Sequence, residues 1–415
     1  MSLSPPIDLL RHADWLTRPR VIAWGSVLLA EQLLLLVFLA LWQHGLFVAI
    51  AQPTSSDFVS FYAAGKLALA GTPALAYDQA AHHLAQAATT EAGAPYQFFF
   101  YPPVFLILCA GLAAMPYPLA FAVFELVTLM LFVRAMRAVL RETGAAWIAP
   151  LLAFPPVFWT LGLGQNAFLT AALFAGFTVL SDRRPVPAGV LLGLLCYKPH
   201  FGLLAPMALL GGQRWRIMAA SAATVAALVA LSAWLFGWEA WRAYLAAFAG
   251  SDSVYASGRI DYAGMITWFG GARLLGFPAG PAYGLQAVMA VLMAALTGLI
   301  WRRVESLPLR AASLLVATLL AVPMALLYDK LLALVAMGWL LREARSGGFL
   351  SWEKTVLLAT YPLALLTWSV GTAWHVTLGP WISFAVLVLC LRRVWRVLSV
   401  RKEAAALDAV AAGAG

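Results

Sequence analysis

Residues 21–50 read VIAWGSVLLAEQLLLLVFLALWQHGLFVAI, a run in which Glu31 is the only charged side chain. About 20 apolar residues suffice to cross a bilayer core of roughly 30 Å, so this run is long enough to span one. The triplet Ala49-Ile50-Ala51 has the look of a signal-peptidase site. The apolar region of a signal peptide covers only roughly 7–15 residues, however, and the run is therefore expected to stay in place as a membrane helix.

Outward from it, the same pattern recurs along the chain. Further apolar spans fall at 101–115, 117–138, 145–161, 166–181, 186–211, 218–237, 282–300, 309–327, 331–343, 355–372 and 378–395. The expected fold is all-α, a polytopic membrane bundle of about twelve transmembrane helices, some of them short enough to be broken or re-entrant. Composition agrees: 63% of the 415 residues are hydrophobic and only 11% charged, against about 25% charged in soluble domains. Seventeen Trp and twelve Tyr suit repeated passage through the membrane interfaces.

The net charge of +9 is spread over short loops rather than gathered on one face, which argues against nucleic acid and for anionic membrane lipid as the partner. Cys109, Cys196 and Cys390 all lie in apolar stretches and read as small buried hydrophobes.

Charge also orients the spans. Arg11, Arg18 and Arg20 at the start, Arg392, Arg393, Arg396, Arg401 and Lys402 at the end, and the loops with Arg214, Arg216, Arg302, Arg303, Arg310, Arg342, Arg345 and Lys354 fall on one side. Both termini are thus expected in the cytoplasm of a cell with this chain in its inner (plasma) membrane. Arg134, Arg137, Arg141, Arg183, Arg184 and Lys198 resist that scheme. If every apolar segment crosses singly, the five arginines face outward. A second layout makes 101–138 one kinked pass and 145–181 and 186–211 two hairpins, with Gln165 and Lys198 outside, and obeys the charge rule better.

The expected domain is a single transmembrane unit over 1–402, with outer loops at about 51–98 and 238–281. The Ala-rich tail 403–415 reads as disordered on composition. Within 57–70, Phe58, Phe61, Tyr62 and Leu69 share a helical face and predict a helix lying in the membrane interface. Asp78 is placed to cap a second helix from about Gln79 to Thr89. No internal repeat stands out, which leans against a transporter.

Several polar residues in this apolar setting invite a chemical reading. Asp57 opens the first outer loop; it is either the N-cap of the following helix or a general base that takes a proton from a hydroxyl. Tyr101-Pro102-Pro103 fits the first turn of a helix. Gly164-Gln165-Asn166 reads as a turn between apolar runs, with Gln165 and Asn166 able to bond sugar hydroxyls if it faces outward. In Tyr197-Lys198-Pro199-His200, Lys198 is either a snorkelling lysine or a cation for a lipid phosphate, since charge inside an apolar run is costly and tends to be functional. Arg259, Asp261 and Tyr262 lie in the second outer loop. Asp329 and Lys330, after Tyr328, read as a neighbouring ion pair. Glu31 and Glu125, inside apolar runs, are expected to face the protein interior and to hold polar partners. No metal-ligand spacing and no nucleotide-binding motif is present, so no metal and no cofactor is implied.

Taken in order, Asp57-Phe58, Tyr62-Ala63-Ala64-Gly65, Gly71, Tyr77-Asp78 and Tyr101-Pro102-Pro103, then Gly164-Gln165-Asn166, Lys198-Pro199 and Tyr328-Asp329, resemble the landmarks of glycosyltransferase family 87 over roughly 50–330. The resemblance implies the GT-C fold and transfer of mannose or a related sugar from a polyprenyl-phosphate donor to a lipid or glycan acceptor on the outer face of the membrane. It implies that an acidic residue of the first outer loop, here Asp57, is the catalytic base. Lys198, Gln165, Asn166, His200, Tyr101, Arg259 and Asp329 are the expected substrate contacts. Many members carry His where this chain has Tyr328-Asp329, which opens the donor sugar to question, a pentose included. Two rival readings are a transporter or lipid flippase, in which Asp57 only caps, and a non-catalytic partner in envelope assembly.

Overall fold

The computed structural model describes residues 5–42, 57–89, 96–141, 144–256 and 260–413. Among the described residues the chain is all-α. In order, the helices are α1 (Pro5–His12), α2 (Arg18–Trp42), α3 (Phe58–Leu69), α4 (Gln79–Ala87), α5 (Pro103–Ala113) and α6 (Tyr117–Leu140). Next come α7 (Ile148–Leu152), α8 (Pro155–Leu163), α9 (Ala167–Leu180), α10 (Pro185–Leu194), α11 (Ala205–Gly211) and α12 (Trp215–Ala256). The last six are α13 (Trp268–Leu274), α14 (Ala279–Arg303), α15 (Leu307–Ala321), α16 (Leu331–Gly347), α17 (Glu353–Trp374) and α18 (Gly379–Gly413).

About twelve membrane helices were expected, some of them broken or re-entrant. Among the described residues five helices are long and apolar enough to cross unaided, namely α2, α6, α12, α14 and α17, with a sixth if the pair 145–152 and 155–163, bent by 76°, counts as one. The other apolar segments form shorter helices because Gly, Pro and polar residues interrupt them. The centre of the bundle is the α15–α16 pair, buried along nearly all of Leu309–Ala321 and Leu331–Leu340. The long helices ring it and turn apolar side chains outward: Leu34 on α2, Trp234 on α12 and Val291 on α14 are mostly exposed. In a soluble protein such a surface would aggregate; here it is the face offered to lipid.

The two ends of the bundle differ in charge. At one end, Arg345 bonds the Leu140 carbonyl at 3.0 Å and sits over Trp147, whose other neighbour is Arg18. Asp182 accepts from both Arg214 (2.6 Å) and Arg310 (2.8 Å). Arg393 pairs with Glu353, Arg401 with Glu305, and Trp352 with the carbonyl of Arg11. The first helix and the basic part of α18 therefore lie at this same end.

Two of the arginines that resisted the charge scheme are placed by this geometry. Arg141 and Arg183 both lie near Arg342 at the basic end, whereas Gln165 and Lys198 stand at the tips of two hairpins. The second hairpin leaves the basic end after Asp182 and returns to it at Arg214, and the ion pair between those residues ties its feet together. Gly189 and Gly193 let α10 lie against α12: a Cβ on them would come within 2.4 Å of the Ile217 carbonyl and 2.6 Å of Thr224. This is close packing by small residues four apart. The arrangement departs from the second layout in one respect. α5, of 11 residues, rises only about 16 Å and packs along α3, so α6 alone carries the pass.

Other expectations are revised. The first two turns of α3, Phe58–Gly65, are buried on all sides, and Leu69 is exposed, so α3 is a core helix rather than one floating in the interface. Its Gly65 sits so tightly on the Cys109 carbonyl that no side chain fits. The residues after Lys402 continue α18 as helix to Gly413, as befits an Ala-rich stretch, alanine being the strongest helix former. Glu31 is exposed while its neighbour Gln32 turns inward to the Ala153 carbonyl (2.7 Å). Glu125 does face the interior, but neither of its carboxyl oxygens meets a hydrogen-bond partner.

The boundaries read from turn chemistry hold. Asp78 caps α4 through Ala81 (2.8 Å), and α5 begins at Pro103. The segment expected as the second outer loop follows directly on Gly237, which breaks α12 at φ 74°. It meets the first through Tyr77 and Tyr244, whose rings lie 5.7 Å apart.

Candidate functional site

The site lies at the end of the bundle opposite the arginines. Asp57 stands just ahead of α3 with αR backbone angles, and its side chain makes no capping bond to the helix. Its Oδ2 instead accepts a hydrogen bond from Gln165 Nε2 at 2.5 Å. The capping explanation of this carboxylate is thereby removed.

Gln165 is delivered by the α8–α9 turn. Gly164 ends α8 in the left-handed region at φ +70°. A Cβ there would also lie 2.6 Å from Phe58 Cβ and 2.8 Å from the Phe121 ring. Glycine thus serves both the turn and the close approach of the turn to the start of α3. Phe58 is held in turn by the rings of Tyr117, Phe121 and Phe124, at 5.4 to 5.5 Å.

Asn166 follows, fully buried. Neither atom of its side-chain amide meets a hydrogen-bond partner at ordinary geometry, although the Tyr101 hydroxyl lies close by. Buried polar groups are nearly always satisfied, so this amide is available to a ligand. Tyr197 closes the same corner, sharing a hydrogen bond with Thr170 at 2.7 Å.

Lys198 lies between two 3₁₀ turns, Leu195–Tyr197 and Pro199–Gly202. The pair of turns breaks the apolar hairpin and leaves the ammonium at its tip. Lys198 Nζ meets Asp329 Oδ1 at 3.0 Å with both side chains buried, and lies over the Tyr328 and Phe201 rings at 5.4 and 5.5 Å. Asp329 Oδ2 accepts from its own backbone neighbour, Leu326, at 3.0 Å. The expected Asp329–Lys330 pair does not form. Adjacent residues in a 3₁₀ turn point apart, and Lys330 Nζ goes instead to the Gly379 carbonyl at 2.6 Å.

Asp57, Tyr101, Gln165, Asn166, Tyr197, Lys198 and Asp329, drawn from five separate segments, thus form one polar cluster in an apolar bundle. Burial pushes the Asp57 carboxyl up from its ordinary value to about 6, with the Gln165 bond and the charge of Lys198 holding it lower than burial alone would. It is still mainly ionised at neutral pH, and basic enough to accept a proton. Asp57 keeps partial exposure while Gln165, Asn166, Lys198 and Asp329 are buried. His200 is beside Lys198 with its ring 4.4 Å from that of Phe201. Arg259 falls outside the described residues. Asp261 is engaged elsewhere, accepting from Trp368 Nε1 at 2.7 Å.

One residue escaped the sequence reading. His82 is fully buried and ties α4 to α3 through the Ser60 carbonyl (3.0 Å) and to the Tyr96 hydroxyl (3.1 Å). Apart from Gln86, four residues on along α4, its partners lie well away along the chain, so little in the local sequence marks it.

The profile of glycosyltransferase family 87 fits residues 99–328, more than half of the chain, and the chain belongs to that family. The chain is also 26% identical over 356 residues to the polyprenol-phosphate-mannose-dependent alpha-(1-2)-phosphatidylinositol pentamannoside mannosyltransferase of Mycolicibacterium smegmatis (strain ATCC 700084 / mc(2)155). The alignment covers 81% of this chain and 83% of that relative. No solved structure matches the chain. The family match takes in Tyr101, Gln165, Asn166, Lys198 and His200; Asp57 precedes it and Asp329 follows it by one residue.

Proposed function

We propose that this glycosyltransferase moves mannose from a polyprenyl-phosphate donor to a hydroxyl of a lipid or glycan acceptor, with inversion at the anomeric carbon. The Asp57 carboxylate carries the reading: it caps nothing, is oriented by Gln165, and lies within the field of Lys198. The relative's dependence on polyprenol-phosphate-mannose supports the donor.

In this mechanism Asp57 takes the proton of the acceptor hydroxyl as its oxygen bonds to the anomeric carbon, on the face opposite the phosphate. The bond from that carbon to the phosphate oxygen breaks, and polyprenyl phosphate leaves with the electron pair. Single displacement needs a base on the attacking side, as in inverting glycosidases. No general acid is required, because the leaving group is a phosphate anion, but cationic stabilisation is. Lys198 supplies it, the donor phosphate replacing Asp329 as its counter-ion. Asn166, Tyr101 and Gln165 offer hydrogen bonds to the sugar, with His200 at the border of the phosphate region. The lipid tail lies between helices, where each buried methylene contributes about 0.8 kcal/mol.

The topology goes with the chemistry. With the arginine-rich end in the cytoplasm, both termini are cytoplasmic and the Asp57 cluster opens to the outer leaflet of the plasma membrane, in a GT-C-like bundle. The test is incubation of the purified protein with polyprenyl-phosphate sugars, one at a time. Transfer from the mannosyl donor is expected; transfer from a pentosyl donor alone would replace the sugar, and no transfer from any would overturn the reading.

A further inference from the structure

We infer that the basic end carries a binding groove for an anionic phospholipid, framed by α18 and the connection between α16 and α17. A shallow cavity of ≈ 470 Å³ opens there, lined by Leu350, Val388, Leu391, Arg392, Trp395 and Arg396. Val388, Arg392 and Arg396 succeed one another at four-residue spacing, so they stand in one row on the helix, with Leu391 and Trp395 in the row beside it. The groove is apolar toward the middle of the bundle and cationic toward the end. A phospholipid has the same order, acyl chain and then phosphate.

The depth is right for a headgroup. Glu353 is the first residue of the α17 span and pairs with Arg393 in a buried, two-pronged contact. That pair fixes the level at which α17 enters the membrane, and Arg392 and Arg396 stand at that level or just beyond it. The charges are also unspent. Arg393 is neutralised by Glu353 and Arg401 by Glu305. Among the described residues Arg392 donates only to the Ser351 carbonyl (2.8 Å). Arg396 meets no carboxylate among the described residues, and both guanidiniums are exposed. Two guanidiniums suit a phosphate, which they bind through paired N–H donors, and an exposed indole at the interface, here Trp395, is the usual companion. A free phosphate would leave Leu350, Val388 and Leu391 bare. The apolar floor therefore selects a lipid over a soluble anion.

The site is remote from Asp57 and independent of the transferase mechanism. Its test is native mass spectrometry of the full-length protein in mixed micelles of phosphatidylglycerol and phosphatidylcholine. Wild type is expected to retain phosphatidylglycerol preferentially, by about tenfold or more for two basic residues at an anionic surface. Arg392→Gln with Arg396→Gln should abolish that preference, and Arg392→Lys with Arg396→Lys should keep only part of it, because lysine retains the charge but not the paired donors. Glycerol phosphate at equal concentration should not compete. Unchanged preference in the double glutamine variant, or full competition by glycerol phosphate, would overturn the proposal. A thermal unfolding midpoint equal to wild type, expected for exposed positions, shows that the variant is folded.

Discussion

The carboxylate of Asp57 and the side-chain amide of Gln165, 108 residues apart in sequence, are joined by a hydrogen bond of 2.5 Å. The bond fixes the carboxylate's direction and lowers its proton affinity, while burial raises it. A general base is active when deprotonated, so kcat/KM should rise with pH through a midpoint near 6. Gln165→Met removes the opposing hydrogen bond and should move that midpoint upward, with a fall in kcat. An unchanged pH profile in Gln165→Met would show that the bond does not tune the base.

The Lys198–Asp329 pair separates a structural role from a chemical one. Removing one partner of a buried pair typically costs about 3–5 kcal/mol, whereas replacing both by apolar groups is often neutral. Lys198→Met is thus expected to lower the unfolding temperature, and Lys198→Met with Asp329→Met to restore it. The donor KM should stay high in both if Lys198 holds the phosphate. Recovery of donor binding in the double variant would reduce the lysine to a structural part.

Gly164→Ala tests the backbone that carries Gln165. The left-handed region costs a non-glycine residue roughly 1–2 kcal/mol, and the added Cβ would lie 2.6 Å from that of Phe58. Since Phe58 follows Asp57, the variant should lose transfer by more than it loses stability. Activity and thermal unfolding, measured side by side, decide this.

His82 gives a prediction about pH and stability. Burial lowers its imidazole from the ordinary 6.5 to about 4. Between those values the unfolded chain binds the extra proton, so stability is present above about 6.5 and is lost as pH falls toward 4. His82→Gln should flatten that dependence, as read by unfolding temperature at pH 5 and pH 7.5.

The legible parts of this chain were those with local causes. Helix ends followed from Asp78, from Pro103 and from Gly164, and apolar length placed most helices within a few residues. Asp57, Gln165, Asn166 and Lys198 stood out because polarity inside apolar sequence is costly. Side-chain partners were hidden, because long-range packing chooses them. Asp329 reaches Lys198 across 131 positions rather than Lys330 beside it. Glu31 and Gln32 are equally polar neighbours, and only the course of α7 determines which one turns inward. The shortness of α5 was masked by an apolar composition that would serve equally for a crossing or for packing on α3.

The most direct measurement is sugar transfer from polyprenyl-phosphate-mannose by purified Asp57→Asn, with folding checked by thermal unfolding. Loss of a general base typically slows a reaction 10²–10⁴-fold, and the asparagine oxygen can still accept from Gln165. The account predicts a drop of about that size in a protein as stable as wild type. Turnover at the wild-type rate would contradict it and leave the reaction without its base.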